Sequence, residues 1–419
     1  MTLKSVFGLM VWLVLEILIT ACQTSSLPYV AVAPPSPSYE LLQQDVIIQS
    51  DLWTDQPEIL AANYAFENIV GVAGGEPEVR AAGGTWNTVS CPDPPRRTLT
   101  SSSQPNEVAF AFGYPVQFAD AMPVVFSWPV LPSTVGASDF VLTLNTGERI
   151  QPEVASIYPN VEYNERHVVV LFGQFGNRLT PDTPGAVYPV QLEIIQDNSP
   201  LQLVGSNGVV SAVGLTQSMA THPYVTGPSV VAAKLSRLSP LGEGAPALFS
   251  AQLPNDGLTL YGDEAQFRLR LFTSGGFSPD GVQGVHPDEF ARFFRLHVDD
   301  GNGGTILLTE AGVNYAVPDG VIRILGLADL GPPQTNYDDC YLEDYDNYID
   351  IILNGDVSAM RHILHVEIPA SGGYAPFFNP GGPGNRPTSG VHYTAPGLAQ
   401  LQPVTLAIED PLTVSYGSR

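Results

Sequence analysis

Lysine is almost missing from this chain. Lys4 and Lys234 are its only examples in 419 residues, so arginine supplies nearly all of the 17 basic side chains set against 42 acidic ones. The formal net charge of −25 repels phosphate backbones and anionic headgroups, which argues against a nucleic-acid partner. Apolar heptads are missing too, so neither a coiled coil nor a long helical bundle is expected. No P-loop and no dinucleotide glycine fingerprint occurs. The segment Gly276-Phe-Ser-Pro-Asp-Gly281 lacks the Gly-x-Ser-x-Gly elbow, and the proline after Ser278 removes an amide that an oxyanion hole would need. No catalytic residue is therefore assigned. What is abundant is glycine (40) and proline (38) in a chain that is 44% hydrophobic. That combination is globular and favours many short strands joined by turns.

At the N-terminus Lys4 precedes an apolar run from Val6 to Ile19, followed by Thr20-Ala21-Cys22. A charged start, an apolar stretch and a small-residue cleavage site make a secretory signal. Ile19-Thr20-Ala21-Cys22 resembles the bacterial lipobox, which implies cleavage before Cys22 and lipidation of its thiol. Glu16 interrupts the run, and an uncleaved anchor helix is the alternative, though the run is short for a span of about 20 residues. Either route leaves the mature domain membrane-attached and outside the cytoplasm. Gln23 resembles the outer-membrane default of such signals, so the expected location is the bacterial cell envelope, on an outer membrane, facing the periplasm or the surface. Once Cys22 is lipidated, Cys91 and Cys340 remain as an even pair in an oxidising compartment. A disulfide between them would close a very long loop and add several kcal/mol; two unpaired buried thiols are the alternative.

The chain divides into a signal (1–21), a Pro/Ser-rich tether (22–45), a short helix with an irregular segment (46–105), one β-sandwich domain (106–227) and a second β-rich domain (228–419). The helix is expected over residues 55–70, where Asp55 and Glu58 form a capping box around Pro57 and Ile59, Leu60, Ala62, Phe66, Ile69 and Val70 give an apolar stripe. Strand alternation begins at Val108, Phe110 and Phe112. It continues through Phe140, Leu142 and Leu144, the apolar run Val168 to Phe172, and Val190, Leu192 and Ile194. Part of this pattern repeats. Phe140-Val-Leu-Thr-Leu-Asn-Thr-Gly147 matches Phe294-Arg-Leu-His-Val-Asp-Asp-Gly301, and Val170 to Gly176 matches Ile324 to Gly331 at nearly the same distance downstream. The pattern resembles the immunoglobulin-like domains of bacterial surface proteins, without the paired cysteines and intervening tryptophan of true immunoglobulin domains. The expected fold is mostly β: tandem antiparallel β-sandwich (immunoglobulin-like) domains with a short N-terminal helix and irregular loops.

The densest chemistry lies between Asn336 and Asp350, where Asp338, Asp339, Glu343, Asp344, Asp346 and Asp350 crowd among tyrosines. Such carboxylates repel unless a cation or solvent screens them. Calcium takes six to eight oxygen ligands, and Asp344, Asp346, Asn347 and Asp350 are the candidate set. The glycine and distal glutamate of an EF-hand are absent, and a solvated acidic loop is the competing description. Asp299 to Gly304 is expected as a hairpin turn between Phe294–Val298 and Thr305–Leu308. His365 and Glu367 lie on one strand face and His362 on the other, which works against a zinc site. His286-Pro-Asp-Glu289 suits the start of a helical turn. Trp86, Trp128, Tyr374, Phe377 and Phe378 suit core or turn packing better than a sugar platform.

The leading expectation is a lipid-anchored extracytoplasmic β-sandwich protein with a binding, adhesion or envelope-structural role, partnered by the membrane and by an envelope protein or glycan. The alternative is a calcium-dependent extracytoplasmic hydrolase of polysaccharide, drawing its carboxylates from the Asp338–Asp350 segment.

Overall fold

Side chains alternating at period two build most of the regular structure. A computed structural model describes residues 36–417 apart from 63–65, 83, 85, 92–95, 178, 180, 220–225, 251–256, 332–333, 335, 345 and 379–395. The lipobox and Cys22 lie outside the described residues. Residues 35–419 form one compact unit. Among the described residues, no helix is long and apolar enough to cross a membrane.

The first half of that unit holds β1 (Ile59–Ala62), β2 (Ala119–Phe126), β3 (Phe140–Leu144), β4 (Arg149–Ile150), β5 (Val154–Ser156), β6 (Val168–Gly173), β7 (Pro189–Ile194) and β8 (Thr216–Ser218). One antiparallel sheet runs β1-β2-β6-β5 and the other β8-β7-β3-β4. The second half holds β9 (Val230–Arg237), β10 (Phe267–Thr273), β11 (Arg295–Asp299), β12 (Thr305–Leu308), β13 (Gly320–Ala328), β14 (Tyr348–Gly355), β15 (Ile363–Ile368) and β16 (Gln400–Pro403). Its sheets run β9-β10-β14-β13, extended at the edges by Asn314–Val317 and Thr405–Leu406, and β16-β15-β11-β12. The two pairing orders are the same strand for strand, β1 answering to β9 and so on to β8 and β16. The fold is therefore mostly β, with two antiparallel sandwiches of one topology in tandem.

Each sandwich closes on its own apolar core. Val124, Phe126, Leu171, Phe140, Leu142 and Leu192 fill the first, and Leu269, Leu271, Leu296, Ile324, Ile351 and Val366 fill the second. Every residue of β2, β6 and β10 is buried, so these strands are covered on both faces. The second cover is the other sandwich and, for β2 and β6, also the helix Pro105–Phe112, whose Val108, Ala111 and Phe112 join the same cluster. Val125, Val168, Val170 and Phe172 on the outer face of the first pack in one cluster with Phe272 and Tyr348 of the second.

The structure moves several expected boundaries. The described residues between 55 and 70 are not helical: they hold β1 and the strand Phe66–Val70, and both pair with β2. A central strand with both faces covered needs partners for its backbone groups, and that need overrides a weak helical stripe. Val108 and Phe112 lie instead in the helix α1 (Pro105–Phe112), where Val108, Ala111 and Phe112 are the buried i, i+3, i+4 set. Glu107 Oε2 accepts the Gln104 N–H at its start (2.7 Å). The tether reading is too long at its C-terminal end. Pro37–Leu42 forms a helix, Ser36 Oγ donates to Phe110 O (2.9 Å), and Leu42 is buried in the first core. The irregular stretch before residue 106 contains a helix, Glu76–Ala81, and a hairpin, Trp86–Ser90 with Arg96–Thr100. Cys91 follows the first strand of that hairpin and is bonded to Cys340, with Cα atoms 5.7 Å apart. The expected hairpin after β11 forms as β11 and β12, and Ile363–Ile368 is a strand. Of the two matched segments, Phe140 opens β3 and Phe294 directly precedes the equivalent strand β11. The second match fails, because Val170 lies in β6, whose counterpart is β14, whereas Ile324 lies in β13.

Candidate functional site

The sequence Phe-Arg-Leu-Arg-Leu-Phe-Thr of β10 alternates as if one face met water. Phe267, Leu269 and Leu271 enter the second core, yet Arg268 and Arg270 are only 7% and 1% exposed. Register brings Lys234 of β9 beside Arg270, and Asp350 of β14 beside it on the other side. The cover comes from the first sandwich. The segment between β5 and β6, Asn160-Val-Glu-Tyr-Asn-Glu-Arg-His167, is buried throughout. Connecting segments normally run on the surface because their polar groups need water, so a polar segment sealed in this way marks a built site. Asp51, Glu243, Asp329 and Asp346 complete the layer.

Its ion pairs are dense. Arg270 Nε and Nη2 hold the two oxygens of Asp350 (2.8 and 3.0 Å), and Nη2 also meets Asp329 Oδ2 (2.6 Å) and Glu165 Oε1 (3.2 Å). Arg268 reaches Asp51 Oδ2 (3.4 Å) and Glu243 Oε1 (3.3 Å). Lys234 Nζ pairs with Asp51 and donates to Pro411 O and Leu412 O (both 3.1 Å). Burial opposes ionisation of Asp51, but Lys234, Arg268 and Arg270 outweigh it and hold its carboxyl down at about 2. Burial pushes His167 down to about 4, so its ring is neutral. Nε2–H donates to the Asp51 carbonyl (2.6 Å) and Nδ1 accepts the Tyr348 hydroxyl (2.7 Å).

The carboxyl groups outnumber the cations. Asp51, Glu162, Glu165, Glu243, Asp329, Asp346 and Asp350 face Lys234, Arg268, Arg270 and the buried Arg166. Desolvation, then the neighbouring carboxylates, raises Glu162 and Glu165 well above the usual range. Burial pushes Glu243 up to about 8. Glu162, Glu243 and Asp329 each place a carboxylate oxygen within 4.8 Å of the other two. Asp329 holds a left-handed φ of 63°, a conformation that aspartate and asparagine adopt more readily than other non-glycine residues.

Beside this layer, between α1 and the facing sandwich, lies a cavity of about 690 Å³. Val108, Ala111, Phe112, Val170 and Phe172 make it mostly apolar, and Asp344 and Asn347 stand in its wall from the second sandwich. Burial, then Glu343 and Asp329, raises Asp344 well above the carboxylate range. Burial, then Asp344 and Glu107, raises the Tyr158 hydroxyl.

The four calcium candidates are near one another but differently employed. Asp350 serves Arg270, Asn347 Nδ2 donates to Thr273 O (2.9 Å), and Asp346 Oδ1 accepts the Tyr348 N–H (2.8 Å). Asp344 faces the cavity, and none of the four belongs to the converging trio. Asp300 Oδ1 accepts the amides of Asn302 and Gly304 (both 2.8 Å) in its turn. Glu367 is held by Arg295 (2.6 and 2.7 Å) and by His297, while His362 meets Asp319 (2.9 Å). Ser278 Oγ donates to Gln283 O (2.6 Å) and accepts the Gly281 amide (2.8 Å), closing a loop. Phe377 and Trp128 are core residues. Sequence reasoning passed over Glu162, Glu165, Glu243, Asp329, Arg268 and Arg270. The available signal was Asn160 to Arg166, a run of amides and charges directly before the apolar strand β6.

A tandem sandwich with a buried ionic layer and an adjoining cavity is the class of protein that fold and site define. No family model, no curated protein and no solved structure matches the chain.

Proposed function

We propose that the protein is a non-catalytic, lipid-anchored component of a bacterial envelope that captures an apolar small molecule with one polar end. The cavity of about 690 Å³ carries this reading. Its size suits a small ligand, and apolar walls with a few convergent polar groups are the usual make-up of such sites. Asp344 and Asn347 at one wall meet the polar end, and Phe112 and Phe172, stacked on one another with ring centroids 4.3 Å apart, line one side of the body. Cys22 ties the protein to the membrane, facing the periplasm or the cell surface, in the neighbourhood of envelope proteins and glycans. The architecture supports an immunoglobulin-like assignment: β1-β2-β6-β5 against β8-β7-β3-β4 follows the ABED and GFC order of that fold, with one strand added.

The test uses the full chain in detergent and a neutral apolar dye, N-phenyl-1-naphthylamine. Saturable binding to the native protein, lost in Ser103→Trp at the cavity lip, supports capture. Absence of saturable binding, or binding unchanged in that variant, overturns it. A hydrolase reading rests on one observation, the raised Asp344 carboxyl at the cavity wall with Glu107 also lining it. Turnover of an envelope polysaccharide that Asp344→Asn abolishes would replace capture with catalysis.

A further inference from the structure

We infer that Glu162, Glu243 and Asp329 form a calcium site that clamps the two sandwiches together. Convergence is the first ground: three carboxylate oxygens from separate parts of the chain lie within 4.8 Å of one another. The second ground is independent of that clustering. Glu162 is 2% exposed and its Oε2 is buried without a hydrogen-bond partner, whereas Asp329 pairs with Arg270 (2.6 Å) and shares a side-chain hydrogen bond with Glu165. A buried acceptor left unpaired costs about 1–3 kcal/mol, more when charged, so the Glu162 oxygen faces something the protein chain does not supply.

Nearby groups suit a hard cation. Asn164 Nδ2 donates to Glu243 Oε1 (2.8 Å), and its Oδ1 is buried with no partner. That amide oxygen is a neutral donor beside the trio. The set is all oxygen, because His167 is committed at both ring nitrogens. Calcium accepts six to eight oxygens in irregular geometry, including carboxylates, amide carbonyls and water, whereas magnesium demands a near-ideal octahedron. Arg270 does not neutralise the trio on its own. Its Nε and Nη2 already hold Asp350, and of the three it pairs with Asp329 alone.

The placement gives the ion a mechanical role. Glu162 belongs to the buried segment before β6 in the first sandwich. Asp329 directly follows β13 in the second, and Glu243 lies on the chain between β9 and β10. One cation would therefore tie three segments across the interface, two of which already meet where the Tyr163 and Asn164 amides donate to Gly244 O (2.8 Å) and Gly242 O (3.2 Å).

The full chain in detergent, stripped with chelator, is titrated calorimetrically with calcium chloride and separately with magnesium chloride, and melted with each. The expected result is one calcium per chain, a melting temperature raised by several degrees, and magnesium binding at least tenfold weaker. Glu162→Gln and Glu243→Gln should each weaken calcium at least tenfold, while Asp338→Asn, in the acidic loop, should not. Ordered water is the competing occupant and gives no stoichiometric calcium. That result, or calcium affinity unchanged in Glu243→Gln, overturns the proposal. Should Glu162→Gln fail to fold, the less buried Glu243 variant carries the same test.

Discussion

Acidification should weaken this fold through His167. The ring is fully buried between Asp51 O and Tyr348, and burial takes its pKa from an ordinary 6.5 to about 4. Between those two values the unfolded chain binds a proton that the folded chain refuses. Stability is therefore fully present above pH 6.5 and falls as pH drops toward 4. Each tenfold difference in proton affinity is worth about 1.4 kcal/mol, so the whole interval corresponds to roughly 3 kcal/mol. Most of it, about 2 kcal/mol, is lost between pH 7 and 4.5. Glu243 has the opposite sign in part of this range. Raised to about 8, it makes the fold less stable as pH climbs from its ordinary value, so a wild-type pH profile alone would blur the two. Comparing wild type with His167→Gln removes the common background. Urea denaturation of both, with chelator present, should show the wild-type advantage shrinking by about 2 kcal/mol from pH 7 to 4.5. An advantage constant with pH, or one that grows on acidification, would refute a buried neutral His167.

Three other perturbations follow from the structure. Arg270→Met should cost about 3–5 kcal/mol in urea unfolding, because Asp329 loses its counter-ion in a buried layer and Asp350 keeps only Arg268 Nε at 3.9 Å; a cost under about 1 kcal/mol would mean that water reaches them. Reduction of the Cys91–Cys340 bond, which spans 249 residues of sequence, should lower the thermal midpoint, with a chain-entropy ceiling of about 5 kcal/mol. Reductant should leave the Cys91→Ser midpoint unmoved. Gly205→Ala should destabilise by about 1–3 kcal/mol in the same denaturation assay. Its new Cβ would lie 2.2 Å from the Trp128 ring, and an unshifted midpoint would place that ring elsewhere.

Strand alternation was the legible part of this chain. Phe140 to Leu144, Val168 to Phe172 and Val190 to Ile194 all became strands, and the turn glycine Gly147 takes the left-handed φ of 86° that only glycine adopts freely. Short segments were less legible. Val108, Phe110 and Phe112 fit a strand as well as a helix, and Pro105 with Glu107 three residues after Gln104 was the signal that distinguished them. The site was nearly invisible for a different reason. Arg268, Arg270 and Lys234 sit where an exposed sheet face would put polar residues, and period two cannot tell water from a second domain. The acidic run around Asp346 drew attention through density. Glu162, Glu243 and Asp329 are scattered over the chain and meet only because the two sandwiches pack outer face to outer face.

That packing is unequal in a way the shared topology makes clear. The covered outer face of the first sandwich is apolar, with Val125 on β2 and Val168, Val170 and Phe172 on β6. Their counterparts in the second sandwich, β10 and β14, carry Arg268, Arg270 and Asp350 on the corresponding face beside Phe272 and Tyr348. Stability does not require this difference, since a buried ion network can often be replaced by well-packed apolar side chains at no loss. Pairing the strand cations does not require it either: Asp51 and Asp350 already answer Lys234, Arg268 and Arg270 in part, and the added carboxyls of Glu162, Glu165 and Glu243 carry the layer past neutrality. Carboxylates in excess of their buried counter-ions are costly unless protonated or bound to a cation. A bound cation would answer the surplus of carboxyl groups and the unpaired oxygen of Glu162, and would account for a polar segment sealed between the two sandwiches.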